Sequence, residues 1–399
     1  MALDPMKILV FTSLYPNEVD PVFGVFVENR LRHFLADTPH EAVVVAPVPW
    51  FPFKGKRWGR YAKFARVPRE EVRHGITVYH PRYLVVPKIG MWLTPFTLYR
   101  GALKLVRRLQ REQGSFDVID AHYLYPDGVA ASKLASDLGL PFVMTARGSD
   151  VTEIAQQGIA GAMVLGAAQQ AAHVITVSNS LRDDLLSLGV EPSHVSTLRN
   201  GVDADHFRPD ETEKPYMAFD GARHIVAFAG WLIERKRVDI AIAALPHLDA
   251  GVHVAVAGEG PLRAALEAQA KRLGVADRVH FLGKVSPSDM PAFFSAADVL
   301  VLPSEREGWA NVLLEAMACG TPVVSRAVAG ALDLVTCAEA GNLVDGDDPA
   351  DYARAIDDVL THRINREATR AYAMTFGWRE ISLAQEAIFS RATGQRAGE

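Results

Sequence analysis

The sequence predicts two doubly wound α/β units in tandem. Three observations carry that expectation. The chain has 399 residues, half of them hydrophobic, enough for two cores rather than one. Short apolar runs alternate with amphipathic stretches throughout, the pattern of a parallel sheet covered by helices. Between Asp203 and Arg223 that pattern breaks into charged residues and two prolines, Pro209 and Pro215, and then restarts.

In the first half, strands are predicted at 7–12, 42–46, 117–121, 141–145, 173–177 and 195–198. In the second half they are predicted at 224–229, 252–257, 279–282, 299–302 and 322–325, with helices at 238–247, 261–273, 289–297, 309–319 and 349–361. The domains expected from this pattern are 1–203, a linker 204–223, and 224–375. In such sheets ligands bind beyond the carboxyl ends of the strands, so chemistry is sought just after each strand.

Composition narrows the function classes. The net charge of −5 argues against a nucleic-acid binder. The charge is uneven: residues 1–200 carry 22 Lys/Arg against 18 Asp/Glu, and the remainder 20 against 29. A basic half often faces phosphate or an anionic surface. Of the two cysteines, Cys319 lies in an apolar helical pattern and reads as a buried thiol. The apolar run after Lys7 is too short for a secretory signal, no run reaches transmembrane length, and a cytoplasmic location is expected.

The most informative stretch follows the strand Val299–Leu302: Glu307-Gly308-Trp309-Ala310-Asn311-Val312-Leu313-Leu314-Glu315. Trp309, Val312, Leu313, Ala316 and Met317 recur at helical spacing, which places Glu307 in the loop at the helix mouth and Glu315 beyond the first turn. The free N–H groups of a helix start suit a diphosphate, and a carboxylate suits a vicinal diol. Gly308 permits close backbone approach. Alone, two glutamates eight apart could equally be solvated surface residues.

The segment EGWANVLLEAMACGTPVV resembles the Glu-x7-Glu motif of family 4 retaining glycosyltransferases of the GT-B fold. Further landmarks recur in order: PVFGVFVENR, AHYLYPDG, TARGSD, RNGVDADHFRP, AGWLIERKRVD and GEGPLR. The resemblance implies two Rossmann-like domains with a cleft between them, and a helix over 376–399 that crosses back to the first domain. It gives Glu307 the donor sugar, Glu315 the ribose, and Lys236 the diphosphate. Gly308, Trp309, Ala310, Asn311 and Val312 would line the donor through the motif. The segment Gly283-Lys284-Val285 would flank the nucleobase, and Gly24 would approach the donor phosphates. Many relatives carry Arg where this chain has Trp231; Arg235 or Arg237 could compensate. Where relatives show a Pro-Glu pair, this chain has Ala331-Leu332-Asp333.

In the first half, His122 ends a predicted strand and Arg147-Gly148-Ser149-Asp150 follows another. A lone histidine is more often structural, but this one matches the family's active-site histidine, which implies a hydrogen bond to the donor sugar. Arg147 and Asp150 are candidates for phosphate or acceptor contact, the alternative being an ion pair between them. Between Glu41 and Glu70 there is no acidic residue, and Lys54, Lys56, Arg57, Arg60, Lys63, Arg66 and Arg69 alternate with aromatics. Residues 50–69 are therefore a candidate peripheral contact with the inner membrane, or a cover over the acceptor site.

The reaction so implied moves a sugar from a nucleoside diphosphate sugar to a lipid-linked or oligosaccharide acceptor, as in bacterial capsule, exopolysaccharide or teichuronic-acid pathways. The Asp-x-Asp pairs at Asp203/Asp205 and Asp345/Asp347 fall in the linker and a turn. No metal or other cofactor is therefore expected. The alternatives are a GT-B sugar-nucleotide epimerase, a solute-binding protein, and a non-catalytic nucleotide-sugar-binding partner of an active transferase.

Overall fold

A computed structural model describes residues 4–53, 55, 60–85, 91–210, 218–362 and 364–395, with backbone only at 60 and 61. The chain forms two compact units, Met1–Asn200 with Trp378–Glu399, and Gly201–Gly377.

The first unit contains β1 (Lys7–Phe11), β2 (Glu41–Val45), β3 (Val48–Pro49), β4 (Glu70–Arg73), β5 (Ile76–Tyr79), β6 (Arg82–Tyr83), β7 (Val118–His122), β8 (Phe142–Ala146), β9 (His173–Thr176) and β10 (Val195–Thr197). Eight of them form one sheet in the order β10-β9-β8-β7-β1-β2-β5-β4, and β3 pairs with β6. Every pair in the large sheet is parallel except β4 with β5. β7 and β8 are buried along their whole length, as strands covered by helices on both faces must be.

The helix Trp378–Thr393 belongs to this unit and packs on the helix Val25–Asp37. Phe389 meets Phe34 edge-on at 5.5 Å, Trp378 stacks on His33 at 5.1 Å, and the Ser382 hydroxyl donates to Asp37 at 2.7 Å.

The second unit contains β11 (His224–Ala229), β12 (Val252–Ala257), β13 (Val279–Gly283), β14 (Val299–Leu302), β15 (Val323–Arg326) and β16 (Gly341–Val344). All pairs are parallel, in the order β13-β12-β11-β14-β15-β16. Renumbered within the unit this is 3-2-1-4-5-6, the dinucleotide-fold order, whose switch point lies between β11 and β14. The parallel strands of the first unit follow the same order with a seventh, β10, added beside the sixth, and its switch point lies between β1 and β7.

The predicted strands coincide with observed ones to within about two residues, inside the usual uncertainty of element ends. β3 to β6 and β16 were not predicted. β3 and β6 are two residues long, β4 is a polar edge strand, and Gly341-Asn342 opens β16 without an apolar run.

Candidate functional site

In the second unit the loops after β11 and β14 meet at the switch point. The Lys236 ammonium donates to Glu307 Oε1 at 2.5 Å, and both side chains keep some exposure, 15% and 11%. The backbone holds the two loops together, since Glu305 N donates to the Arg235 carbonyl at 2.9 Å.

Glycines let neighbouring loops pack close. A Cβ on Gly258 would lie 1.9 Å from the Gly230 carbonyl oxygen, and one on Gly260 would lie 2.4 Å from that of Leu232. The GEGP turn is thus a floor under the loop that carries Lys236. Gly330 supports the other loop in the same way, 2.6 Å from Trp309 Cα for an added Cβ, with its N–H donating to the Glu307 carbonyl.

The helix after Glu307 starts at Asn311, two residues later than predicted, and no side chain caps it. Trp309 and Ala310 are buried, with the Trp309 indole 6.1 Å from the Phe376 ring, so that side chain belongs to the core. Gly308, Asn311 and Val312 are half-buried. Glu315 is half-buried on the next turn, and burial pushes its carboxyl up to about 7. Val285 follows β13, where the Gly283 carbonyl accepts from Gly258 N.

Arg235 is exposed, as is Trp231. Arg237 takes up the left-handed conformation at φ 49° and is bound by acids: Asp239 at 3.1 Å and Asp347 at 2.8 Å. Its guanidinium is a structural tie. Asp347 is shared with Arg326, and Asp203 accepts the amides of Asp205 and His206, so one member of each Asp-x-Asp pair is engaged in local structure.

At the first unit's switch point the charges are sealed in. His122 ends β7 with its Nε2 3.2 Å from Asp120 Oδ2. Arg147 donates to His122 Nδ1 at 2.7 Å and to Asn200 Oδ1 at 3.1 Å. Because Nδ1 accepts, the proton of the neutral ring is on Nε2, directed at Asp120. Burial keeps the His122 pKa below its usual value; Asp120 opposes the shift, and the Arg147 charge adds to it.

Arg30 lies beside them, fully buried, donating to Gln385 Oε1 at 2.7 Å and reaching Asn200 at 3.4 Å. Gln385 in turn donates to Asp120 at 3.2 Å. Burial disfavours the Asp120 anion, but His122, Arg30 and Arg147 outweigh it and hold the carboxyl below its ordinary range. Burial and Arg30 push the Arg147 guanidinium down to about 9, still protonated at neutral pH.

The expected alternative for Arg147 and Asp150, an ion pair between side chains, is corrected. Asp150 accepts the backbone amides of Leu124, Arg147 and Gly148 at 2.7–3.1 Å and is fully buried, so it shapes the loop. His122 has both ring nitrogens engaged. Gly24 is buried at φ 71°, and a Cβ there would lie 2.4 Å from the Leu14 carbonyl carbon; close packing explains this glycine.

Sequence reasoning missed Arg30, Asp120, Asn200 and Gln385. It also missed Asp127, whose buried carboxylate accepts from Ser13 N and Oγ at 2.8 and 2.9 Å and is pushed up to about 7 by burial. One signal was available: Asp120 is two residues before His122, on the same face of a strand.

A model of glycosyl transferases group 1 matches residues 210–376, and a model of Glycosyltransferase Family 4 matches residues 29–206. A D-inositol 3-phosphate glycosyltransferase of Acidothermus cellulolyticus is 32% identical over 352 residues, covering 78% of this chain and 75% of the relative. A Bacillus subtilis protein named as a glycosyltransferase of teichuronic acid biosynthesis is 28% identical over 337 residues, 82% of this chain and 83% of the relative. Among solved structures, sucrose-phosphate synthase from Thermosynechococcus elongatus superposes with a TM-score of 0.79 at 20% identity, covering 98% of this chain and 100% of that one. Anabaena HepE in complex with UDP and glucose does so with a TM-score of 0.71 at 20% identity, covering 96% and 99%. Two sheets of dinucleotide-fold order and these matches over both halves agree: the chain is a GT-B enzyme and belongs to the family 4 glycosyltransferases.

Proposed function

We propose that the enzyme moves a sugar, with retention of anomeric configuration and without a metal, from a nucleoside diphosphate sugar to an acceptor hydroxyl. The acceptor is a lipid-linked or growing polysaccharide of the bacterial cell envelope. The observation that carries the reading is the Lys236–Glu307 pair at the switch point of the second unit. The pair is mostly buried but keeps some contact with solvent, through which a ligand can reach both charges. An incoming diphosphate takes the Lys236 ammonium, and Glu307 is released to accept sugar hydroxyls.

Charge builds on the departing diphosphate, and Lys236 with the positive dipole end of the helix that starts at Asn311 stabilises it. Glu315 accepts the ribose hydroxyls in its ionised form, and Val285 flanks the base. Trp231 stands where relatives place a cationic contact, and Arg235, exposed in the same loop, takes that contact. In the first unit, His122 keeps its two partners within the buried network, and Arg147 adds a fixed positive charge there. HepE is described in complex with UDP-glucose, and the Bacillus relative is named for teichuronic acid biosynthesis; both support the substrate classes proposed.

Among the described residues no helix is long and apolar enough to cross a membrane. Contact with the inner membrane at its cytoplasmic face is accordingly proposed as peripheral. Of the basic segment 50–69, Lys54, Lys56, Arg57 and Trp58 lie outside the described residues, and Lys63 approaches Asp20 at 3.8 Å.

The test is a thermal-shift screen of nucleoside diphosphate sugars, followed by product analysis with the best binder in EDTA. Stabilisation by one donor and a transferred sugar with retained configuration are expected. Isomerised donor without transfer, or a strict requirement for Mg²⁺ or Mn²⁺, would contradict the reading.

A further inference from the structure

The first unit exposes apolar side chains that its core does not use. Leu84, Val85, Met91, Trp92, Leu93 and Phe96 are each 42–59% exposed. They follow β6 or surround the first turn of the helix Thr94–Gln113. Backbone and side-chain hydrogen bonds join them into one surface: Trp50 N donates to the Tyr83 carbonyl at 2.7 Å, and the Thr97 hydroxyl to that of Leu84 at 2.7 Å. Trp50, itself half-exposed, extends the same surface.

The helix Thr94–Gln113 is two-faced. Pro95, Leu98, Ala102, Val106 and Leu109 are buried on one side. Phe96, Arg100, Lys104, Arg108 and Arg111 recur at spacings of four and three on the other. The helix holds five basic residues and one acid, Glu112. The Arg100 guanidinium lies over the Phe96 ring at 5.0 Å, which joins the cationic stripe to the apolar end. Beside the stripe, a groove of about 490 Å³ is lined by Arg69, Arg82, Lys104, Arg108 and Arg111, with Glu70 as its one acidic lining residue.

We propose that this surface docks the first unit on an anionic lipid bilayer, with Trp92, Leu93 and Phe96 entering the interface and the basic groove meeting the headgroups. Aromatic and aliphatic side chains flanked by arginine and lysine are the combination that lies in such an interface. Charge complementarity selects this occupant over a second copy of the chain, because a twofold contact here would bring two basic grooves together. The surface is separate from the Lys236–Glu307 pair. It deepens the reading of a membrane-borne acceptor, and it relocates the contact from residues 50–69 to residues 84, 85 and 91–111.

The experiment is flotation of the full chain with neutral phosphatidylcholine vesicles and with vesicles containing anionic phosphatidylglycerol, at low and high salt. The variants are Trp92→Ser with Phe96→Ser, and Arg108→Gln with Arg111→Gln. All are exposed substitutions, and thermal unfolding checks that they fold. Binding to anionic vesicles is expected to fall on the order of tenfold or more at high salt, and by a similar factor in either double variant. Three results would overturn the proposal. One is no binding to anionic vesicles, and another is equal binding by the variants. The third is a dimer of the wild-type chain in solution that Trp92→Ser with Phe96→Ser abolishes. Nucleotide-sugar binding by the same variants, read by thermal shift, separates failure of this surface from failure of the transferase reading.

Discussion

The two units share a strand order and place their chemistry at the same topological position, yet they build opposite electrostatic environments there. At the first unit's switch point Arg30, Asp120 and His122 are almost completely buried, and Arg147 joins them through His122. At the second, one lysine and one glutamate face each other with some exposure and few constraints. Both are ion-pair sites, but burial decides what they can do. A sealed network pays a large desolvation cost and in return fixes tautomer and geometry. A pair that keeps contact with solvent can give its groups up to a ligand. The topology supplies the location, and the residues after each strand decide whether it becomes a rigid fixture or an exchangeable one.

That difference can be broken deliberately. The largest effect is expected from Asp120→Ala, which leaves Arg30, Arg147 and His122 facing each other without that carboxylate. Loss of one partner from a buried charge network costs roughly 3–5 kcal/mol. Denaturant unfolding should show the loss, whereas Lys236→Ala or Glu307→Ala, at a pair that keeps contact with solvent, should lower the midpoint by clearly less. Equal stability losses at the two sites would erase the distinction.

A smaller effect is expected from Arg147→Lys. It keeps the charge but cannot span His122 Nδ1 and Asn200 Oδ1 together. A loss on the order of 1–3 kcal/mol is expected, with the histidine no longer held in one tautomer. Nitrogen chemical shifts of the His122 ring would report it, and an unchanged spectrum would count against the assigned network.

The smallest effect concerns Glu315, whose carboxyl rises from 4.5 to about 7 in the folded chain. The native state then holds its proton more tightly than the unfolded state does. Stability is lost as pH rises through the window between these values, and it stays lost above it. Glu315→Gln escapes that penalty. It should therefore melt a few degrees higher than wild type at pH 8 and at the same temperature near pH 4.5. A gain of the same size at both pH values would show that packing, not ionisation, is responsible.

How far the sequence could be read follows from the same contrast. The second unit was legible because its site is local: Glu307 and Glu315 lie on one loop and one helix, and Lys236 follows a neighbouring strand. Apolar runs were sufficient to find β11 to β15, but β16 starts on glycine and asparagine and carried no such run. The first unit's network draws Arg30, Asp120, Arg147, Asn200 and Gln385 from five separated segments. Nothing in local spacing announces Gln385, 265 residues from the aspartate it contacts. Asp150 was misjudged for a related reason: its partners are backbone amides, and a sequence shows side chains only. Gly24 also packs against Leu14, a contact that its motif does not show.

The central claim is that Lys236 and Glu307 work as one exchangeable pair in donor activation. It is tested most directly by the turnover of Lys236→Ala, Glu307→Ala and the double variant with the donor found by screening. Each single substitution should lower kcat about 10²–10³-fold, as loss of one well-placed charge-stabilising group does. The double variant should be little slower than the slower single, because groups acting as a unit are not additive. A near-wild-type rate in either single variant, or losses that multiply in the double, would contradict the account.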